Sequence, residues 1–396
     1  MRPVPAIGPK KNGIGYAIEM ISKGISSIDI KTISYYDDNL DIYDFDRKKH
    51  IQIKPKFINK LLFDFIFRIP LGIPKKLFGF SIAKRKSYYH AIGNTLKELK
   101  PDIIISQTHY FLFDSVKKYY PNAKHVFHFR GSDMHEWNKR SVYDLFEKSD
   151  GIVTVCHAAM NNITKKLNIS HENHIVIPNA IDHKIFSKNF SIDRIKKIKS
   201  KFSINLTDDI FLYAGRIHRT KGIYEVVEAF QKLKKINDKI TLLIVGKNLS
   251  KYDDFELVEF LNQFEENYSK TKIKIIETVD INKMAEIYSI SNISLSCSLE
   301  HEGCSKVIIE SLMSNTPVIV TDVGGNPELV KHKYNGLIVS TKNLRKELSN
   351  AMGLIISDHK LYSYLAKNSK KSVIQKHNYR RLCKAYENYL NKLIDR

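Results

Sequence analysis

Short apolar runs rich in β-branched residues recur along the chain, and the segments between several of them carry apolar positions at helical spacing. The runs are SIDIKTIS (27–34), DIIISQ (102–107), KHVFHF (124–129), GIVTVC (151–156) and HIVIP (174–178), then IFLYAG (210–215), ITLLIVG (240–246), KIKIIE (272–277), NISLSC (292–297) and PVIVTD (317–322). Runs of this length and composition read as buried strands. GIYEVVEAFQKLKKI (222–236) and INKMAEIYSIS (281–291) repeat apolar residues at i, i+3 and i+4 and read as helices packed on them. Strand and helix in alternation predict parallel sheets covered on both faces. The alternation breaks in a charged, turn-poor stretch, so two such sheets are expected. The boundaries follow as an N-terminal domain over 1–186, a linker region over 187–207, a C-terminal domain over 208–371 and a long amphipathic helix over 372–396.

Length agrees, since 396 residues exceed what one core holds. No apolar run reaches the roughly 18 residues of a spanning helix, and the start lacks the pattern of a signal peptide, so a cytoplasmic protein is expected. Cys156, Cys297, Cys304 and Cys383 show neither CxxC spacing nor neighbouring His pairs, which excludes a structural zinc site or disulfide framework from the reading. The net charge of +22 favours anionic partners. Its bland source is a composition rich in Lys, Ile, Asn and Tyr. No nucleic-acid partner is expected, because no recognised module is present and the basic residues are spread along the chain. Residues 54–86 mix aromatic and aliphatic side chains with clustered Lys and Arg, a pattern that fits either an anionic membrane surface or an insertion packed on the first domain.

Open parallel sheets bind ligands at the carboxyl ends of their strands, beside helix N-termini. Four such ends carry candidates. In YAGRIHRTKG (213–222), Arg216 follows a strand and Lys221 precedes a helix, flanked by Gly215 and Gly222; two cations there can neutralise a diphosphate, although a solvated basic loop is the simpler account. In HEGCSKVIIE (301–310), Glu302 ends a loop, Gly303, Cys304 and Ser305 offer N–H groups at a helix start, and Glu310 falls inside the helix. A carboxylate pair can accept hydrogen bonds from sugar hydroxyls, but capping and exposed helical glutamates are also common. Gly246 in LLIVGK and the glycines of VGGNPE (323–328) permit close backbone approach to a ligand.

Taken together and in order, G-R-x4-K-G, E-x7-E and PVIVTDVGGNPELV resemble the retaining GT-B glycosyltransferases of sequence family four, and VIPNAIDHKIF (176–186) and KPDIIISQTHY (100–110) are similar to segments of the same family. The resemblance implies an α/β fold of GT-B architecture, two Rossmann-like parallel-sheet domains facing each other across a cleft, with the last helix crossing back to the first domain. It implies a nucleotide-sugar donor and a saccharide or lipid-linked acceptor, in cell-envelope polysaccharide or lipopolysaccharide assembly. Arg216 and Lys221 would hold the diphosphate, Glu302 the donor sugar and Glu310 the ribose, with Gly15, Gly215, Gly246, Gly303, Cys304, Ser305, Lys306 and Val307 lining the donor site. No metal or other cofactor is expected: DFD (44–46) fits a D-x-D pattern but follows no clear strand. The protein would work in the cytoplasm or peripherally on the inner face of the plasma membrane.

Two features depart from the family. Pro3 and Pro5 fit a central strand poorly, so the first strand of the first domain is expected to be absent or to lie upstream of residue 1. GPKKNGIGYAIEMI (8–21) supplies the following loop and helix, with Gly13 and Gly15. Where relatives carry a His before a Gly facing the reacting sugar, alignment on Gly131 places Arg130; His128 shares its strand face, and Asp133 is near. His128 and Arg130 stand as alternative acceptor-side residues, against a core histidine and a rim charge. A catalytically silent partner subunit is the rival to an active transferase.

Overall fold

The chain divides into two units, each built on parallel strands: Met1–Thr154, Ile163–Ile177 and Cys383–Arg396 form the first, Val155–Asn162 and Pro178–Leu382 the second. The computed structural model describes residues 13–35, 50–53, 80–107, 110–131, 139–246, 255–265, 268–277, 279–300 and 302–395. The opening strand question at 1–12, the DFD motif, Asp133 and most of the basic aromatic stretch 54–86 fall outside these residues.

In the first unit β1 (Thr32–Tyr35) pairs in parallel with β2 (His50–Ile53). A second parallel sheet runs β3 (Ile103–Gln107), β4 (Lys124–Phe129), β5 (Gly151–Thr154) and β6 (His174–Val176), in that order. All four residues of β5 and five of six in β4 are buried, the mark of strands covered on both faces. Helices Phe80–Leu99 and Tyr110–Tyr119 contribute Ile92, Leu96 and Val116, which pack with Ile33 and Ile51 of the pair and Ile104 of the sheet. The part of helix Tyr379–Ile394 belonging to this unit is pinned by its tyrosines. Tyr389 donates to the Asn173 carbonyl at 2.6 Å, and a Cβ on Gly151 would lie 2.1 Å from the Tyr389 hydroxyl. Tyr386 is buried and hydrogen-bonded to the fully buried His128. Tyr386→Phe leaves that imidazole without its partner and is expected to cost about 1–3 kcal/mol, read from a denaturation curve.

Among its described residues the second unit holds six parallel strands: β7 (Asp209–Ala214), β8 (Ile240–Val245), β9 (Ile273–Ile276), β10 (Ile293–Ser296), β11 (Val318–Thr321) and β12 (Gly336–Val339), ordered β12-β11-β10-β7-β8-β9. The chain therefore winds one way from β7 to β9, returns beside β7 with β10, and winds the other way to β12. This is the doubly wound order whose switch point, between β7 and β10, opens a crevice at the strands' carboxyl ends. Helices Ile223–Lys234 and Leu344–Ser357 bury Val226, Phe230, Leu348 and Met352 in the same apolar cluster as Phe211, Leu242 and Leu295. At the opposite, amino-terminal edge, buried Asp208 accepts from Thr241 Oγ1 at 2.9 Å and Lys272 Nζ at 3.2 Å, joining the starts of β7, β8 and β9.

The 187–207 stretch contains helix Ile192–Lys201, started by Ser191 Oγ, which accepts from the Arg194 N–H at 3.3 Å. It groups with the second unit and packs on helix Ile281–Ile290, with Arg194 paired to Glu286. Ile198 is its buried residue, and with Ile192 and Ile195 it forms a narrow apolar stripe at helical spacing in a sequence otherwise dominated by charge. Strands β2 and β12 are additions to the sequence reading; each is only four residues long. No helix among the described residues is long and apolar enough to cross a membrane.

Candidate functional site

The switch point of the second unit gathers the predicted donor-side residues other than Gly15, which belongs to the first unit. β7 runs into Gly215, whose φ of +132° lies where side chains are disfavoured and whose N–H donates to the Val245 carbonyl at 2.9 Å. A Cβ on Gly246 would stand 2.1 Å from the Gly215 carbonyl oxygen, so glycine at 246 lets the ends of β7 and β8 close together. Arg216 follows as an exposed side chain, while its carbonyl accepts from the buried Tyr213 hydroxyl at 2.7 Å. Among the described residues no hydrogen bond or ion pair holds its guanidinium, so an exposed cation follows directly on the end of β7.

From there the chain makes a short 3-10 turn, Arg219–Lys221, begun by His218 and closed by Gly222 at φ +70°. A Cβ on Gly222 would meet the Cys297 carbonyl oxygen at 2.1 Å, and the Leu299 N–H donates to the Thr220 carbonyl at 2.9 Å. The loops after β7 and β10 are thus locked side by side. The lock brings Lys221 onto Glu302 as an ion pair, and Ser298 Oγ donates to the same carboxylate oxygen at 2.6 Å. Lys221 Nζ also lies 3.5 Å from Ser298 Oγ.

The backbone of Glu302 is held as firmly. Its carbonyl accepts from the Gly325 N–H at 2.9 Å, and Gly324, at φ +53°, packs directly against it. Next come Gly303 and Cys304, both buried; Asn179 Nδ2 donates to the Cys304 carbonyl at 2.7 Å, while the Cys304 thiol is enclosed. Ser305 caps helix Lys306–Met313 in an extended conformation without a side-chain bond to the helix. A helix start of this kind carries partial positive charge. A Cβ on Gly215 would be 4.0 Å from Val307 Cγ2, which places the helix start beside the end of β7.

Glu310, on the second turn of that helix, accepts a hydrogen bond from the Tyr288 hydroxyl at 3.1 Å. Although the residue keeps some surface, burial of its carboxyl pushes the pKa up to about 7, against the lowering effects of the Lys306 charge and the Tyr288 bond. Across the crevice floor, Thr321 Oγ1 donates to the Ser298 carbonyl at 2.6 Å and Asn326 Nδ2 to the Thr321 carbonyl at 3.1 Å, tying β11 to the Glu302 loop. Among the described residues no group of three or more His, Cys, Asp or Glu is placed to hold a metal ion.

The acceptor-side candidates belong to the first unit. His128 is fully buried at the end of β4, and burial followed by the Arg130 charge holds its imidazole well below its ordinary pKa, so it is neutral. Arg130 is 9% exposed and donates through Nε to Gln107 Oε1 at 2.9 Å, joining the ends of β3 and β4. Gly15 lies in the first turn of helix Gly13–Gly24. Ser298, Tyr288 and Asn179 are site residues that sequence reasoning did not single out. Ser298 was within reach of it, two residues beyond β10; the other two depend on packing between distant segments.

These geometries can be set beside known proteins. Residues 194–372 match the family profile of the Glycosyl transferases group 1, and residues 63–185 match that of Glycosyltransferase Family 4. The chain belongs to the group 1, family 4 glycosyltransferases. It is similar to an uncharacterised glycosyltransferase of Methanocaldococcus jannaschii, 24% identical over 252 residues that span 63% of this chain and 60% of that one. It is also similar to the capsular polysaccharide biosynthesis glycosyltransferase CapM of Staphylococcus aureus, 24% identical over 53% of each chain. Matches to these relatives therefore span between about half and three-fifths of their length. Among solved structures, the Anabaena protein HepE in complex with UDP and glucose superposes with a TM-score of 0.66 at 16% identity, over 77% of this chain and 81% of that one. The two Rossmann-like units of this family member have the GT-B architecture.

Proposed function

We propose that the protein moves a sugar from a nucleoside diphosphate donor, by default a UDP-sugar, to a saccharide or lipid-linked acceptor, with retention of anomeric configuration and without a metal ion. The setting would be cell-envelope polysaccharide or lipopolysaccharide assembly at the inner face of the plasma membrane. The observation that carries this reading is the cluster at the switch point, where Lys221 pairs with Glu302 and an uncapped helix start lies beside the end of β7, directly before Arg216. Such a cluster suits a diphosphate that gains charge as it leaves. Arg216 and Lys221 would neutralise it, and the N–H groups at Ser305 to Val307 would bind its oxygens. Glu302, which accepts from both Lys221 and Ser298, would accept from the donor sugar's hydroxyls.

As the bond from the anomeric carbon to the diphosphate breaks, positive charge develops on the sugar. For retention the acceptor oxygen bonds to the face the diphosphate leaves, and its proton passes to the departing phosphate oxygen. The residues of this chain would therefore act chiefly by electrostatics and positioning.

The test is a thermal shift of the full chain with UDP, GDP, ADP and CMP in the presence of a chelator, repeated on Arg216→Ala. A ligand at about a hundred times its Kd stabilises by roughly 2.7 kcal/mol, so one nucleotide should raise the melting temperature clearly, and Arg216→Ala should lose most of that rise. Absence of a shift with all four would overturn the donor-site reading in favour of a silent partner subunit. A shift that needs added divalent metal would overturn the metal-free part alone.

A further inference from the structure

Glu310 is held by a residue from another helix. Tyr288 lies on Ile281–Ile290, is fully buried, and donates to Glu310 Oε2 at 3.1 Å, with the Val307 carbonyl more distant at 3.4 Å. Its ring cannot swing away without repacking. It meets Phe186 edge to face with centroids 6.0 Å apart, and its own carbonyl is tied to Thr316 Oγ1 at 2.9 Å and to the Ser291 N–H at 3.1 Å. Among the described residues Glu310 Oε1 accepts no hydrogen bond. One oxygen of the carboxylate is thus satisfied by a rigid donor and the other is left to accept.

We propose that Tyr288 is a positioning residue that fixes the Glu310 carboxylate as the acceptor for a ribose hydroxyl pair of the bound nucleotide. The inference rests on the donor-site reading above and extends it to a residue outside the motif. An ionised carboxylate accepts from a hydroxyl pair better than a protonated one, so the state of Glu310 governs affinity. Burial is the largest influence on it and favours the neutral acid, bringing it to about 7; the Lys306 charge and the phenol bond oppose burial. These two, from its own helix and from Ile281–Ile290, are the groups acting on it. His183 and Lys184 of His183–Phe186, Lys283 and Glu286, and the lysines of His359–Val373, all on packed helices, are not among the influences.

A carboxyl titrating near 7 changes its ionised fraction about tenfold between pH 6 and pH 8. UDP affinity of the full chain should therefore rise with pH across that range, and the sign is fixed because the ionised form is the one that binds. The phosphate of UDP also titrates, so Glu310→Gln serves as reference: the parent should gain about tenfold more than this variant. Tyr288→Phe, which keeps the buried ring, removes a bond that favours ionisation; its affinity should be about tenfold weaker than the parent's at neutral pH, with the gap closing toward pH 9.

Calorimetric titration of UDP into the three proteins across this pH range decides the matter. A Tyr288→Phe deficit that is constant with pH would mean packing alone and would overturn the proposal, as would a parent profile parallel to that of Glu310→Gln. No UDP binding by the parent at any pH, with a shift for another nucleotide above, would move the same titration to that nucleotide with the same two overturning results. No binding of any nucleotide would remove the donor-site reading itself and the inference with it.

Discussion

Lys221→Ala is expected to lower the rate of sugar transfer by about 10²–10³-fold, the loss that follows removal of one positioned electrostatic donor. Two effects add. On the proposed donor reading the departing diphosphate would lose a cation, and Glu302, paired with Lys221 in this structure, would keep its negative charge with Ser298 as its remaining donor among the described residues. That uncompensated carboxylate would stand close to the incoming phosphates. The second effect can be separated from the first by a double-variant cycle. Glu302→Gln added to Lys221→Ala removes the repelling charge, so nucleotide affinity in the double variant should exceed that of Lys221→Ala, even though transfer should stay low if Glu302 holds the sugar as proposed. Titration of the nucleotide identified by thermal shift reads the affinity, and product formation reads the rate. A double variant that binds more weakly than Lys221→Ala would show that Glu302 holds the nucleotide by attraction and that its pairing with Lys221 is incidental.

Most of the cluster at the switch point was legible because one rule connects sequence to place. Strand ends of a doubly wound sheet meet at the switch point, so residues that follow β7 and β10 in the chain must be neighbours however far apart they stand in sequence. Lys221 and Glu302 obey it, and the glycines that allow the approach are visible as letters. Tyr288 was not legible. It sits on the buried face of an ordinary amphipathic helix, where a tyrosine predicts packing, and its hydroxyl gains meaning only from the way Ile281–Ile290 lies against Lys306–Met313.

Local pattern failed where burial was small or elements were short. Helix Ile192–Lys201 repeats Ile192, Ile195 and Ile198 at helical spacing, but three apolar residues among so many charges, with Ile192 72% exposed and Ile198 buried, read as a charged linker. His50–Ile53 and Gly336–Val339 are too short for alternation to stand out from loop. His128 shows a different limit. Period-two alternation sets it on one strand face with Arg130, yet it cannot tell a face turned to a ligand from one packed on Tyr386, whose helix arrives from the far end of the chain.

Gly324→Ala is expected to be the most damaging small substitution in the second unit. At φ +53° an alanine is strained, and its Cβ would lie 2.0 Å from the Glu302 carbonyl oxygen and 2.7 Å from the Glu302 nitrogen. Both are backbone atoms, and the carbonyl oxygen is held in turn by the Gly325 N–H, so no flexible side chain can yield. Strain and overpacking each cost about 1–3 kcal/mol, and a combined loss of roughly 3 kcal/mol or more is a large part of a usual folding stability. The clash falls on the residue that pairs with Lys221, so nucleotide binding should weaken with stability. Gly353→Ala is the matched control. It lies within helix Leu344–Ser357 with its Cβ 3.5 Å from Leu233 Cδ1, an ordinary contact, and the helix gains up to about 1 kcal/mol from the exchange. The same added methyl group should therefore lower the melting temperature at 324 and hold or raise it at 353. Equal melting temperatures and equal nucleotide affinities for Gly324→Ala and the parent would show that the loop between β11 and the Asn326–Leu329 turn can move, and that Glu302 is not held by its backbone.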